Sequence, residues 1–351
     1  MTALTGISVV VPVRNGAATI ADTLRSIAAQ NDGRRPFEII VVEDGSSDGS
    51  RGVVEHAAIG LPMTILQGPG RGAAAAVNAG LRAASHPIVA QVDQDVVLER
   101  DWLTRLLPYF DDPQVGAVQG RYTADRTASF FARVMALDLE QRYAGLPDRI
   151  DHVCTGNTVY RADALARVGL LDESFGYGYD NDLSYRLAAA GYALAFCRDA
   201  RSRHRWREGL TGYLTQQYGF GYGRLDVVAA HPDRVGGDAV SPGSMMSQPA
   251  LMLAAVACLV FSVVAVTVHP LTSRFLSIAG TSLLVVLAAE RFGAGVRAWR
   301  QFDDPAALAF PLVHLARNAV WVVAIAVWCG RRLVGRAASP AASMKPRQAG
   351  R

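Results

Sequence analysis

Over the first 120 residues two hydrophobic periodicities alternate along the chain. Ile7–Val13 is a mostly β-branched run, the pattern of a buried strand, and Thr19–Gln30 then spaces Ile20, Leu24 and Ile27 along one helical face. Phe37–Val42 repeats the strand pattern and leads into the turn-rich Asp44–Gly49. A short helix, a strand at Met63–Leu66, an alanine-rich helix at Gly72–Ala84 and a strand at Ile88–Val92 follow. Strands alternating with helices predict an α/β fold, a Rossmann-type, mostly parallel sheet covered on both faces. Ligands of such sheets bind in the crevice at the carboxyl ends of the strands. Asn15, Asp44 and Asp93 each fall just past a strand end, so three polar positions converge on one edge.

From about Arg121 to Asp151 the pattern changes to a single amphipathic stretch, Ser129–Tyr143. Alternation returns with a strand at Thr155–Tyr160, a helix after Arg161, a helix at Asn181–Ala190 and a strand at Tyr192–Cys197. An aromatic, glycine-rich segment, Tyr213–Arg224, precedes a Pro/Gly/Ser linker at His231–Pro249. Ala250–Val268 carries no charged side chain and is close to the about 20 residues that span a bilayer as a helix. Phe275–Ala289 is shorter, between Arg274 and Glu290. Ala306–Gly330 is long enough but contains Pro311, His314 and Arg317, which suggests a broken or re-entrant helix; Trp321 and Trp328 suit a membrane interface. Arginines at 291, 297 and 300, and at 331, 332 and 336, would both lie on the cytoplasmic side under the positive-inside rule. Two full spans and a re-entrant third segment reconcile this, and the topology stays open. The expected organisation is a globular domain at 1–230, a linker at 231–249, a membrane region of two to three helices at 250–332, and a disordered basic tail at 333–351.

Composition changes the picture in three ways. The hydrophobic fraction of 50% is high for a soluble enzyme, and its excess sits near the carboxyl end. Lys345 is the only lysine among 35 basic residues, the net charge is a modest +4, and no basic run interleaved with aromatics occurs in the globular part, so nucleic acid is not an expected partner. Cys154, Cys197, Cys258 and Cys329 show neither a C-x-x-C pair nor metal-ligand spacing, which suits free thiols in a reducing compartment. The amino terminus has no basic region ahead of its short apolar run, so the globular part is expected in the cytoplasm.

The chemistry sits at strand ends. Asp93-Gln94-Asp95 follows a strand directly, and residues two apart on an extended chain project to the same side. Two carboxylates there can hold a hard divalent cation, Mg²⁺ or Mn²⁺, with sites left open for diphosphate oxygens; the alternative is a solvated turn. Asp44 can accept a hydrogen bond from a nucleobase imide, or simply form an Asx turn. Arg71, between Gly70 and Gly72 at a helix start, can reach phosphates, or be an exposed loop arginine. Gly178–Leu183 begins a helix in which one carboxylate can be a general base or a helix cap. Gly156 and Asn157 would then belong to an acceptor side, and His204 is either a further metal ligand or a surface histidine.

Taken in order, Val9-Val10-Val11-Pro12-Val13-Arg14-Asn15, Val41–Asp48, Asn78-Ala79-Gly80, Asp93-Gln94-Asp95 and Asp180-Asn181-Asp182-Leu183 resemble the inverting family 2 glycosyltransferases of GT-A fold. The resemblance covers most of residues 7–225. It implies a nucleotide-sugar donor, expected to be a UDP-sugar, on a side that takes in Pro12, Asn15, Asp44, Arg71 and Asp93. It also implies a metal near Asp95, Asp93 and His204, an acceptor side at Gly156, Asn157 and Tyr179, and Asp180 as the base that meets the acceptor hydroxyl. The tail resembles those of bacterial members that extend exopolysaccharides or lipid-linked glycans, which places the chain at the inner (plasma) membrane.

Two departures qualify this. The family's Glu-Asp pair is here Tyr179-Asp180, so Asp182 is an alternative base. The Gln-x-x-Arg-Trp motif of processive synthases is not found; Gln216–Arg224 stands in that region, as a mobile lid, a sugar-stacking platform or an amphipathic approach to the membrane, and argues for one sugar per encounter. Rival readings are transfer onto a polyprenyl phosphate, whose oxygen needs no base, and a non-catalytic membrane subunit that keeps the nucleotide-binding fold. A nicotinamide-dependent dehydrogenase is disfavoured because no G-x-G-x-x-G follows the first strand.

Overall fold

The computed structural model describes residues 6–335, so most of the tail expected at 333–351 lies outside the described residues. The chain divides into two compact units, residues 6–125 with 142–206, and residues 126–141 with 207–335.

In the first unit β1 (Ile7–Val13), α1 (Ile20–Ala28), β2 (Phe37–Glu43), α2 (Ser50–Ala57), β3 (Met63–Gln67), α3 (Ala73–Ala83) and β4 (Ile88–Val92) build a parallel half-sheet. β5 (Val96–Leu98), α4 (Trp102–Leu106) and β6 (Val115–Thr123) follow. After α5 (Phe130–Ala144), most of which belongs to the second unit, come β7 (Arg149–Ile150), β8 (Asn157–Arg161), α6 (Ala162–Val168), α7 (Tyr179–Ala189) and β9 (Ala193–His204). The strand order is β3-β2-β1-β4-β8-β6-β9-β5, with β7 also on β9. β8 runs antiparallel to both β4 and β6, so an antiparallel segment extends the parallel half.

The largely apolar runs of β1, β2 and β4, interrupted by Ser8, Glu38, Glu43 and Gln91, follow from burial on both faces. Val10, Ile40, Val42, Ala76 and Val89 form a core cluster between sheet and α3. Gly80 lets that helix close down, because a Cβ there would collide with Val10. The chain leaves β1 for β2 and β3 on one side, then returns to β4 on the other. The carboxyl ends of β1 and β4 therefore flank a topological switch point, the place where open α/β sheets bind ligands.

One strand differs from its expected extent. The strand expected to end at Cys197 runs on to His204: β6 pairs Gly120 with Cys197, then resumes pairing at Arg121 and Arg201 after a bulge. Beyond the bulge exposed Arg201 and Arg203 alternate with buried Ser202. That half-exposed pattern, paired with β5, has no apolar run by which to recognise it.

The second unit contains α8 (Gly209–Ala230), α9 (Gly243–Ala265), α10 (Pro270–Phe302) and α11 (Phe310–Leu333). The glycine- and aromatic-rich Tyr213–Arg224 is part of α8. The stretch 231–249 carries a 3₁₀ turn at Pro232–Arg234, an Arg224–Asp238 ion pair at 2.8 Å and the first residues of α9. Three C-terminal helical segments, Gly243–Ala265, Pro270–Phe302 and Pro305–Leu333, are long and apolar enough to cross a membrane. Phe275–Ala289 is the middle of a continuous 33-residue helix, about 50 Å long. The break expected near Pro311 is absent from α11, because the proline sits in its first turn, where its missing N–H costs nothing.

α9 and α10 pack as a hairpin through small residues: the Ser262 and Ser273 hydroxyls each donate to the other's carbonyl at 2.8 Å, and Gly280 lies against Leu259 and the Ala255 carbonyl. Phe261, Val264, Leu271 and Phe275 of the same hairpin stand exposed. Two polar residues of α11, His314 and Arg317, are buried within this unit. Arg317 donates to Gln248 at 2.5 Å, and His314 lies 3.7 Å from Asp138 of α5.

Candidate functional site

The loops after β1, β2 and β4 are tied together at the switch point. Asn15 adopts φ 54°, a left-handed conformation that asparagine tolerates, and its side-chain oxygen accepts the Ser47 N–H at 2.8 Å. Its own N–H donates to the Ser46 hydroxyl at 3.0 Å. Gln94, the middle residue of the Asp-x-Asp triplet, exchanges two hydrogen bonds with the Arg14 backbone, at 2.8 and 3.1 Å, and so closes β1 onto β4. Pro12 is paired in register with Val42, one residue before the end of β1.

Asp44 is almost fully buried. It accepts the Gly70 N–H at 2.6 Å, and the Arg14 guanidinium stands 3.8 Å away. It therefore orders the 68–72 turn as an Asx-type anchor. Arg71, in that turn, pairs with Glu173 at 2.9 Å, and Glu173 also accepts from Asn78 at 3.1 Å. Asn78 further exchanges hydrogen bonds with the Leu171 backbone at 2.8 and 3.0 Å, which ties α3 to the loop ahead of α7.

Asp93 and Asp95 follow β4. Desolvation, then the negative charge of Asp95 and to a smaller extent that of Asp180, pushes the Asp93 carboxyl up to about 7, against a hydrogen bond from Gln91 that draws it down. The His204 Nε2 lies 3.3 Å from Asp95, its ring packed between Tyr122 and Trp206, and its buried Nδ1 makes no hydrogen bond among the described residues. The bulge in β9 is what carries His204 to this position opposite Val96.

Among the described residues no group of three or more His, Cys, Asp or Glu side chains is arranged to hold a metal ion by itself. The donor set nevertheless fits an incomplete site. Two carboxylates whose charges oppose one another, with an imidazole beside them, gain from a hard cation that takes its other ligands from elsewhere.

The other wall is formed by the loop before β8 and the start of α7. Gly156 has φ 90°, and a Cβ there would collide with the Asp93 carboxylate. Asn157 is fully buried, its side-chain oxygen taken by the Trp102 indole N–H at 2.6 Å, so its side chain braces the sheet. Burial holds the Tyr179 hydroxyl well above its usual pKa, and the charges of Asp93 and Asp180 add to this. Tyr179 is therefore a neutral hydroxyl at the position where the resembled family carries a glutamate.

Asp180 and Asp182 diverge. Asp180 shares its field with Asp93, Tyr179 and Cys154. Asp182 is buried and held by Arg186 at 2.8–2.9 Å, and Arg186 also donates to the carbonyls of Val168, Gly169 and Leu170. Two residues apart on a helix point about 200° away from one another, which separates the two carboxylates.

The structure thus brings Asp93, Asp95, His204, Tyr179 and Asp180 together. It turns Asn157 and Asp182 to bracing, and Arg71 to Glu173. Gln91 and Arg186 organise the site without having been named in the sequence, and Gln94 and Asn78 do so having been named only as members of motifs. For Asn78 the signal was its place in a motif; a buried Gln inside a strand gives none until its neighbours are known.

Comparison with known proteins follows the same lines. The profile described as Glycosyl transferase family 2 matches residues 8–169. A pre-mycofactocin glycosyltransferase of Mycobacterium tuberculosis is 31% identical over 91% of this chain and 70% of its own length. The glycosyltransferase AglE of Haloferax volcanii is 26% identical over 63% of this chain and 73% of its own length. A mannosyltransferase from Pyrobaculum calidifontis, solved with GDP-Man and Mn²⁺, shares the fold with a TM-score of 0.59 at 20% identity, over 93% of this chain and 88% of that one. With a relative this similar along nearly its whole length, and the GT-A-like sheet that carries its strand-end carboxylates, the chain belongs to glycosyltransferase family 2.

Proposed function

We propose that the chain moves a sugar from a nucleoside-diphosphate sugar, expected to be a UDP-sugar, to a hydroxyl of a membrane-associated glycan or lipid-linked saccharide, with inversion. The observation that carries this reading is the separation of roles at α7: Asp180 faces the field of Asp93, whereas Asp182 is spent on Arg186. Asp180 takes the proton of the acceptor hydroxyl as that oxygen attacks the anomeric carbon and the nucleoside diphosphate departs. One displacement turns an α-linked donor into a β-linked product.

Asp93 and Asp95, with His204 beside them, would hold a divalent cation, Mg²⁺ or Mn²⁺, which supplies positive charge to the departing diphosphate. Asn15, Pro12 and Asp44 line the nucleoside side. Arg71 reaches the phosphates by leaving Glu173; the arginine is exposed and Glu173 keeps Asn78 and Arg82 as partners, so the exchange costs on the order of 1 kcal/mol. Gly156 and Tyr179 border the acceptor, with the Tyr179 hydroxyl as a neutral hydrogen-bonding group.

A thermal-shift panel of nucleotide sugars with Mg²⁺ or Mn²⁺ tests the donor class. A ligand present at about 100 times its Kd stabilises the folded chain by about 2.7 kcal/mol, which a Tm reads directly. A panel without a single metal-dependent shift would sink this reading.

The apolar hairpin supports membrane association; an inner-membrane location with the catalytic unit on the cytoplasmic side is part of what we propose. The full chain is expected to stay with membranes through an alkaline carbonate wash, and a chain ending near Val240 to be released. Release of the full chain by the same wash would mean that its helices lie only at the interface.

A further inference from the structure

We propose that Gln91 is a positioning residue that locks the Asp93 carboxylate and the Gly156 backbone into one rigid unit, so that the donor wall and the acceptor wall of the site keep a fixed spacing. The inference rests on the reading of Asp93 and Asp180 given above.

Gln91 is buried on β4. Its Nε2 donates to Asp93 Oδ1 at 2.8 Å, and its Oε1 accepts the Gly156 N–H at 2.6 Å. The Asp93 N–H in turn donates to the Gly156 carbonyl at 3.3 Å, so both polar groups of Gly156 are spent on the 91–93 segment. Gly156 can come this close only because it has no Cβ. A primary amide is the one uncharged side chain that offers an N–H to a carboxylate and a carbonyl to a backbone N–H at the same time.

The sheet places Gln91 in a polar row. Thr158 lies directly across on β8, and Gln119 lies across from Thr158 on β6, all three buried. The Thr158 hydroxyl donates to the Cys154 carbonyl at 2.7 Å, and Gln119 Oε1 accepts the Cys154 N–H at 2.5 Å. Three neighbouring strands thus hold the 154–156 loop from beneath. Thr158 and Gln119 hold the loop alone; Gln91 holds the loop and Asp93 together. The difference makes Gln119 the control for a merely structural role.

The experiment uses the full chain in detergent. It compares wild type, Gln91→Met, Gln91→Glu and Gln119→Met by calorimetry of Mn²⁺ with UDP or GDP, whichever the wild type binds, and by transfer kinetics. Groups that orient metal ligands change affinity or activity by about 10–100-fold when removed. Gln91→Met is expected to weaken metal-dependent nucleotide binding and to lower kcat, each by about tenfold or more. Gln119→Met is expected to lower thermal stability while leaving nucleotide binding within about twofold. Gln91→Glu keeps the bond to Gly156 and the side-chain volume but removes the N–H facing Asp93. It should lose kcat as Gln91→Met does, with a Tm below the wild type because a third carboxylate is buried beside Asp93, and it decides the matter if Gln91→Met does not fold. Folded Gln91 variants that match the wild type in kcat, or a Gln119→Met variant with the same losses, would overturn the inference. A wild-type chain that binds neither nucleotide with Mn²⁺ would instead overturn the metal-dependent donor reading, and this inference with it.

Discussion

Asp180→Asn is expected to bind donor and metal as the wild type does and to lose transfer by about 10²–10⁴-fold, with the loss falling on kcat. The substitution keeps the shape of the side chain and removes its charge and its proton-accepting lone pair. Asp180 stands in the field of Asp93 and Tyr179, while its neighbour Asp182 is occupied by Arg186. Asp182→Asn should therefore act on stability. It weakens a partly buried, charge-assisted contact at the point where Arg186 also gathers three carbonyls, a loss of about 1.5–3 kcal/mol. Single-turnover transfer, nucleotide binding and thermal melting separate the two outcomes. If both variants transferred at near wild-type rates, no base would be acting from this helix. The reading would then move to a phosphate acceptor such as a polyprenyl phosphate, whose oxygen is already ionised.

Asp95→Ala should remove metal-dependent nucleotide binding while leaving the fold intact. Asp95 is the charged neighbour that, after desolvation, does most to raise the Asp93 carboxyl, so its loss relieves a repulsion in the cation-free chain. What disappears is one of the two carboxylates proposed to hold the cation. Outer groups that only orient ligands are worth about 10–100-fold, so the loss of a carboxylate in direct contact with the metal should exceed two orders of magnitude, roughly. The same geometry sets a pH dependence for the wild type. A proton held at Asp93 up to about pH 7 competes with the cation, so binding tightens as pH rises towards 7 and levels off above it. Calorimetry across pH 5.5–8.5, roughly, with and without a chelator, reads both effects. Unchanged metal-dependent binding in a folded Asp95→Ala chain would remove Asp95 from the metal site.

Much of this architecture was legible in the chain itself. The apolar runs of β1, β2 and β4 and the spacing of Ile20, Leu24 and Ile27 encode their elements locally, because a strand buried on both faces and an amphipathic helix impose their own periods. The strand-end positions of Asn15, Asp44 and Asp93 followed from the same pattern, and so did the apolar helices of the tail. The family could be read from the order of its motifs, and the relatives bear it out.

What only the tertiary structure decided is which side chains face one another across elements distant in sequence. Asp180 and Asp182 look equivalent as letters, and the partner that distinguishes them is Arg186 reaching back to the 168–170 loop. Arg71 finds Glu173 about a hundred positions away, Asn157 finds Trp102, and His204 is carried to Asp95 by a bulge that no periodicity records. Gln91 shows the reason most directly. A buried amide is costly unless both its ends are satisfied, and whether they are depends on the register of β4 against β8, which is set by the packing of the whole sheet.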